Sequence, residues 1–151
     1  MSYLILKWLH ILSAIIALGA NITYFLWLFR MDKSRESLLF TLRTIKIMDD
    51  WIANPAYVLA FFTGAGMLGI AGLSYATPWV LTAVIIYAVV SVLGLFVYSP
   101  MLKKQIKLAE SVGPDSAEYK RAASRGIYLG AFITALVVMI TFLMVVKPQL
   151  W

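Results

Sequence analysis

The chain contains no cysteine. That excludes disulfides, thiolate zinc sites, cysteine-ligated iron–sulfur clusters and cysteine nucleophiles. Histidine is almost as scarce: His10 is the one example in 151 residues. An intramolecular bis-histidine haem site is therefore impossible. Charge is thin as well. Only 13% of residues are Asp, Glu, Lys or Arg, where a soluble domain carries about 25%. No carboxylates pair deep in an apolar run, and Walker loops, dinucleotide glycine fingerprints and hydrolase motifs are missing. Soluble-type hydrolytic or phosphoryl chemistry has no support. There is no internal repeat and no low-complexity linker.

What the chain does have is hydrocarbon, at 62% of residues. This composition and length indicate one integral membrane domain over residues 1–151. Four apolar runs are long enough to cross the ~30 Å core of a bilayer as helices. They cover about 3–29, 51–73, 79–99 and 127–147. The expected fold is an all-α membrane four-helix bundle. The first run is too long for a signal-peptide apolar region and no cleavage site follows, so it reads as a mature helix. The net charge of +6 does not point to nucleic acid, because the basic residues cluster in loops beside lipid headgroups.

Loop charge gives an orientation. Residues 30–46 hold five Lys/Arg and residues 103–125 hold six, while the loop at 71–76 holds none and each terminus holds one. The positive-inside rule places the first and third loops in the cytoplasm and both termini outside. The expected location is a cell membrane, crossed several times, in a bacterium the inner membrane.

The first run organises the rest. Read at a seven-residue repeat, one stripe collects Lys7, His10, Ala14, Ala17, Asn21 and Tyr24, flanked by Ser13 and Ala20. A small-and-polar stripe on an aliphatic helix turns toward other helices or a cavity. A charged turn at 30–36 follows. Residues 37–48 then read as an amphipathic cytoplasmic segment, lying on the membrane surface or forming the foot of the second helix. Asp49 and Asp50 mark the boundary, where Arg30, Arg43 or Arg125 could pair with them. Pro55 predicts a kink or restart, with the Asn54 amide bridging the freed carbonyl. On α spacing, Asp50, Asn54, Tyr57, Phe61 and Gly64 share a face. Gly64, Gly66, Gly69 and Gly72 thin the upper half.

Thr77-Pro78 reads as an N-cap followed by proline at the first helical position. Tyr87, Ser91, Gly94 and Tyr98 share a face of the third helix, which continues through Pro100 into a basic foot. Asp115 with Glu118 resembles a capping box for the fourth helix. Gly126 and Gly130 form a small-xxx-small pair on it, with Thr134 and Thr141 beyond. Trp151 reads as an interfacial anchor.

In the outer third of the bundle, His10 shares a layer with Met67, Thr82, Tyr87, Met139, Thr141 and Met144. Imidazole and thioether are haem axial ligands, and together they also suit Cu(I). On pattern alone packing is the commoner reading: a lone histidine near a helix end is more often a hydrogen-bonded structural residue, and methionine fills gaps. A proton relay is the third reading of His10.

The stretch Lys7-Trp8-Leu9-His10-Ile11-Leu12, with Gly19-Ala20 nine and ten residues after the histidine, resembles the first helix of a loose group of small bacterial membrane proteins. The group includes copper-resistance-D-like proteins and the four-helix protoporphyrinogen oxidases that carry haem b. The likeness continues at Ile52-Ala53-Asn54-Pro55 and Val145-Val146-Lys147-Pro148. Over nearly the whole length the chain most resembles a family of predicted integral membrane proteins known as a domain of unknown function. The resemblance implies haem b, or a related tetrapyrrole or metal, on His10. The oxidases' second histidine is replaced within Gly94-Leu95-Phe96-Val97-Tyr98. Of their Arg–Asn–Glu-type cluster, Ser124-Arg125-Gly126-Ile127 keeps at most the arginine.

The expectation is an accessory redox or delivery protein binding haem b through His10. Lys7 would pair with a propionate. Met67, Met144 or His10 of a second subunit in a homodimer would take the sixth position. Two other functions fit the sequence. One is a small-solute or ion permeation unit using Asn21, Tyr24, Asn54 and Ser91. The other is an interaction subunit that packs its Gly126/Gly130 and Gly64-to-Gly72 surfaces on a membrane-complex partner.

Overall fold

A computed structural model describes residues 1–30 and 34–149. Residues 31–33 of the first charged turn and the Trp151 anchor lie outside the described residues. Four long helices form the chain. The first is α1 (Ser2–Arg30). The second joins α2 (Arg35–Met48) to α3 (Asn54–Ala71) through a π-helical segment, Asp49–Ala53. The third joins α4 (Pro78–Val92) to α5 (Ser99–Ser111) through another, Leu93–Tyr98. The fourth is α6 (Ala117–Val146). At 29, 37, 34 and 30 residues, all four are long and apolar enough to span a membrane.

Burial is inverted relative to a soluble protein, as lipid solvation allows. Trp8, Ile15, Phe62, Phe96, Phe132 and Val145 are all exposed. Small and polar residues of α1 face inward instead: Ser13, Ala17, Ala20, Asn21 and Tyr24 are buried. The expected stripe is therefore present, with His10 and Ala14 half-buried and Lys7 exposed at its end.

Helix α1 packs along α3, α4 along α6, and α2 along α5, with α6 closing the ring on α1. The backbones of α3 and α4 scarcely approach each other. Side chains bridge them instead. The Tyr87 hydroxyl donates to the Tyr57 carbonyl at 3.0 Å, and its ring stacks on Phe61 at 5.6 Å.

The amphipathic segment is the foot of the second helix. Its apolar face, Leu38, Leu42 and Ile45, packs with Leu102, Ala109 and Tyr119 in a core at the basic end of the bundle. Arg43 and Glu110 tie α2 to α5 at 2.7 Å, and Arg35 donates to the Glu110 carbonyl.

Both π segments end against a proline. The Asn54 N–H reaches the Asp49 carbonyl and the Ser99 N–H reaches the Gly94 carbonyl, five residues back in each case. Pro55 and Pro100 come next and have no N–H to give. The wider turn absorbs the proline without breaking the helix. It also adds one residue to the turn, which rotates the preceding register by about 100°. This corrects the α-spaced face: Asp49 turns inward, while Asp50 points out and pairs with Lys46 rather than an arginine.

The capping expectation for α6 shifts by one residue. Ser116, extended at φ −64° and ψ 143°, is the N-cap and accepts from the Tyr119 N–H. Thr77 does precede Pro78 at the start of α4, but its side chain makes no cap hydrogen bond. The glycines of α6 serve the bundle's interior. A Cβ on Gly126 would stand 2.2 Å from Gln105 Nε2, and one on Gly130 would stand 3.4 Å from the Tyr98 ring. Gly64 and Gly66 likewise take His10 and Leu6 of α1. Gly126, Gly130, Gly64 and Gly66 are thus used within the chain, while Gly69 and Gly72 meet nothing within 4 Å.

Candidate functional site

The ring of helices encloses a cavity of about 180 Å³ in its basic half, between the two π segments. Five tyrosines line it: Tyr24, Tyr57, Tyr87, Tyr98 and Tyr119. Asn21, Asp49, Asn54, Ser91 and Gln105 add polar groups. All four residues assigned to a polar path from the sequence, Asn21, Tyr24, Asn54 and Ser91, meet here, as does the whole Tyr87/Ser91/Gly94/Tyr98 face.

Most of these groups are already satisfied. Asn21 donates its amide to the Tyr57 hydroxyl at 2.7 Å. Ser91 donates to the Tyr87 carbonyl at 2.9 Å. The Asn54 side chain lies against the Asp49 carboxylate as a hydrogen-bond partner, not across the carbonyl near the proline. Tyr24 is the exception. It is only 4% exposed, and its hydroxyl is the one buried side-chain polar atom without a hydrogen-bond partner among the described residues. Asp49, Tyr57 and Tyr98 are its electrostatic neighbours. An unpaired buried hydroxyl costs about 1–3 kcal/mol.

Above the cavity the bundle is packed. Val90, Ile133 and Val137 form an apolar cluster between α4 and α6. Sideways, the lining includes exposed residues, Val58 and Leu95 on one flank and Phe29 and Ile127 on the other.

His10 lies elsewhere, in the seam between α1 and α3. Its Nδ1 is 2.8 Å from the Ala60 carbonyl and 3.3 Å from Thr63 Oγ1. A carbonyl only accepts, so Nδ1 carries the proton, and in the neutral ring Nε2 bears the lone pair. Ser13 and Thr141 spend their hydroxyls on their own helices, on the Leu9 and Val137 carbonyls. The ring rests on Gly64, where a Cβ would stand 3.0 Å from Cε1.

Haem b fits this arrangement at one atom only. A Nδ1–H anchored on a carbonyl is how an axial imidazole is oriented. The cavity, however, is lined by none of His10, Lys7, Met67 and Met144. Lys7 is exposed and the two methionines are half-buried. Met139 and Thr141 of the expected layer point outward from α6. No cluster of three or more His, Asp or Glu capable of holding a metal occurs among the described residues.

Sequence reasoning missed Asp49, Gln105 and Tyr119 as lining residues. The two X-Pro steps inside apolar runs, Asn54-Pro55 and Ser99-Pro100, were the available signal for the register change.

No curated protein and no solved structure matches the chain. The likeness to copper-resistance-D-like proteins and to the haem-carrying oxidases rests on short motifs alone. One family model does match, covering residues 4–148. The cavity's lining residues all fall within that span, as do the four helices apart from the first two residues of α1, and the chain belongs to the family described as predicted integral membrane protein (DUF2269).

Proposed function

We propose that this membrane protein binds a small solute in the tyrosine-lined cavity, as the binding step of a transport or delivery function. The observation that carries the proposal is the buried Tyr24 hydroxyl without a partner. A ligand with one polar group would supply that partner and fill the space. The cavity of about 180 Å³ is close to an engineered cavity of about 150 Å³ that holds benzene. The fitting ligand has roughly eight non-hydrogen atoms. At about 0.5 kcal/mol each, these give a Kd of order 1 mM. The packed outer half argues for a bound state over an open pore. The charge bias directs the cavity half toward the cytoplasm.

The test is thermal unfolding of purified protein with benzyl alcohol, benzylammonium and benzoate at several millimolar. At least one should raise Tm by about 1–4 °C, from mass-action stabilisation of order 1 kcal/mol. Gly94 lines the cavity and has open space where a Cβ would go. Gly94→Leu should fill that space and remove the shift. No shift with any of the three would defeat the proposal.

A second reading keeps His10 as a haem b ligand, supported by the lone pair left on Nε2. Haem would supply one-electron redox chemistry there. Lys7 would serve a propionate, and Met67, Met144 or the His10 of a second copy the sixth position. Adding haem to the purified protein tests this: a stoichiometric Soret band lost in His10→Ala supports it, and no uptake removes it.

A further inference from the structure

We propose that the ligand of this cavity is a small organic cation, a protonated amine of about benzylamine size, with Asp49 as its counter-ion. This rests on the cavity being a ligand site and names the chemistry it selects. Among the described residues the lining contains one carboxylate and no Lys, Arg or His. Asp49 is 8% exposed, and its side-chain hydrogen-bond partner is the neutral Asn54 amide. Lys46, the lysine that acts on Asp49 among the described residues, is ion-paired with Asp50. Two carboxylates sharing one ammonium leave one negative charge uncompensated. A buried carboxylate without its own cation is costly, and a cationic guest offsets that cost.

The walls suit the same guest. A tyrosine hydroxyl oxygen accepts from an ammonium N–H. The phenol groups of Tyr24, Tyr57 and Tyr98 all feel the charge of Asp49. The Tyr24 hydroxyl is free to accept one ammonium N–H while Asp49 accepts another. An anion would face a carboxylate with no basic side chain in the lining. A neutral guest would leave the charge unanswered.

The experiment compares near-isosteric ligands on the full chain in detergent: benzylammonium, benzyl alcohol and benzoate, by calorimetric titration at neutral pH. Wild type should bind benzylammonium about tenfold or more tightly than benzyl alcohol, the scale of one charge-assisted contact. In Asp49→Asn that preference should fall to about twofold or less, with alcohol binding retained. Asp50→Asn leaves Lys46 to serve Asp49 alone, so the preference should weaken there too, again with alcohol binding retained. If Asp49→Asn does not fold, the wild-type comparison alone decides. Equal binding of cation and alcohol, or tighter binding of benzoate, overturns the cation assignment but leaves the cavity a ligand site. Binding of none of the three overturns both.

Discussion

Replacing Gly126 with alanine tests the close contact that seals the cavity's basic end. The new Cβ would stand 2.2 Å from Gln105 Nε2 and 3.3 Å from its Cδ. Gln105 is buried but borders the cavity, so its amide must swing toward that space to admit the new methyl. Overpacking of this kind costs about 1–3 kcal/mol. Alanine in a helix interior returns about 1 kcal/mol over glycine. The expected net destabilisation is about 0–2 kcal/mol. With Gln105 already cut to alanine the clash disappears and only the helix gain remains. The sign therefore reverses, and Gly126→Ala becomes stabilising by about 1 kcal/mol. The coupling between the two positions is then about 1–3 kcal/mol. Thermal unfolding in detergent, followed by circular dichroism, reads this as a Tm difference of several degrees, at roughly 2–4 °C per kcal/mol. Equal effects of Gly126→Ala in both backgrounds would refute the packing of α5 on α6 described here.

Three further outcomes are expected. His10→Ala removes the bond to the Ala60 carbonyl and opens the α1–α3 seam, lowering stability by about 1–2 kcal/mol while leaving cavity binding intact; loss of binding at unchanged Tm would contradict this. Pro55→Ala restores a donor to the second helix and lets the π segment relax toward α geometry, so folding should change little while ligand binding falls as Asp49 rotates outward; unchanged ligand affinity would show that the proline does not set the register. On the cysteine-free background, Arg35→Cys and Lys104→Cys should resist an impermeant thiol reagent on intact cells while Tyr75→Cys is labelled; the reverse pattern would invert the topology.

How far the sequence reveals the site depends on whether a helix stays regular. The α1 stripe is legible because α1 runs without interruption, so Ala17, Asn21 and Tyr24 all turn inward as their spacing requires. The Tyr87-to-Tyr98 face also survives. Asp49 is not legible from α periodicity, because the π turn before Pro55 exchanges its place with Asp50. The N-cap of α6 shows a smaller ambiguity: Asp115 and Ser116 are both good cap residues, and only the backbone angles choose Ser116. The role of Gly126 is hidden for another reason. A small-xxx-small pair says that something comes close, and the structure shows it to be Gln105 of the same chain. For His10 the acceptor is a backbone carbonyl, a group every residue carries, so no sequence pattern could name Ala60. The unpartnered hydroxyl of Tyr24 is a property of its surroundings and cannot be read from the residue itself.

The central claim, that the cavity around Tyr24 is a ligand site, is tested most directly by NMR of protein labelled with 13C at tyrosine Cζ. Tyr24→Phe assigns the Tyr24 resonance by its disappearance, and Tyr75 and Tyr128, both exposed on the surface, serve as internal controls. Titration with benzylammonium should move the Tyr24 resonance saturably while Tyr75 and Tyr128 stay in place. A Tyr24 resonance that does not move while a ligand is demonstrably bound would place the binding site elsewhere and contradict the account.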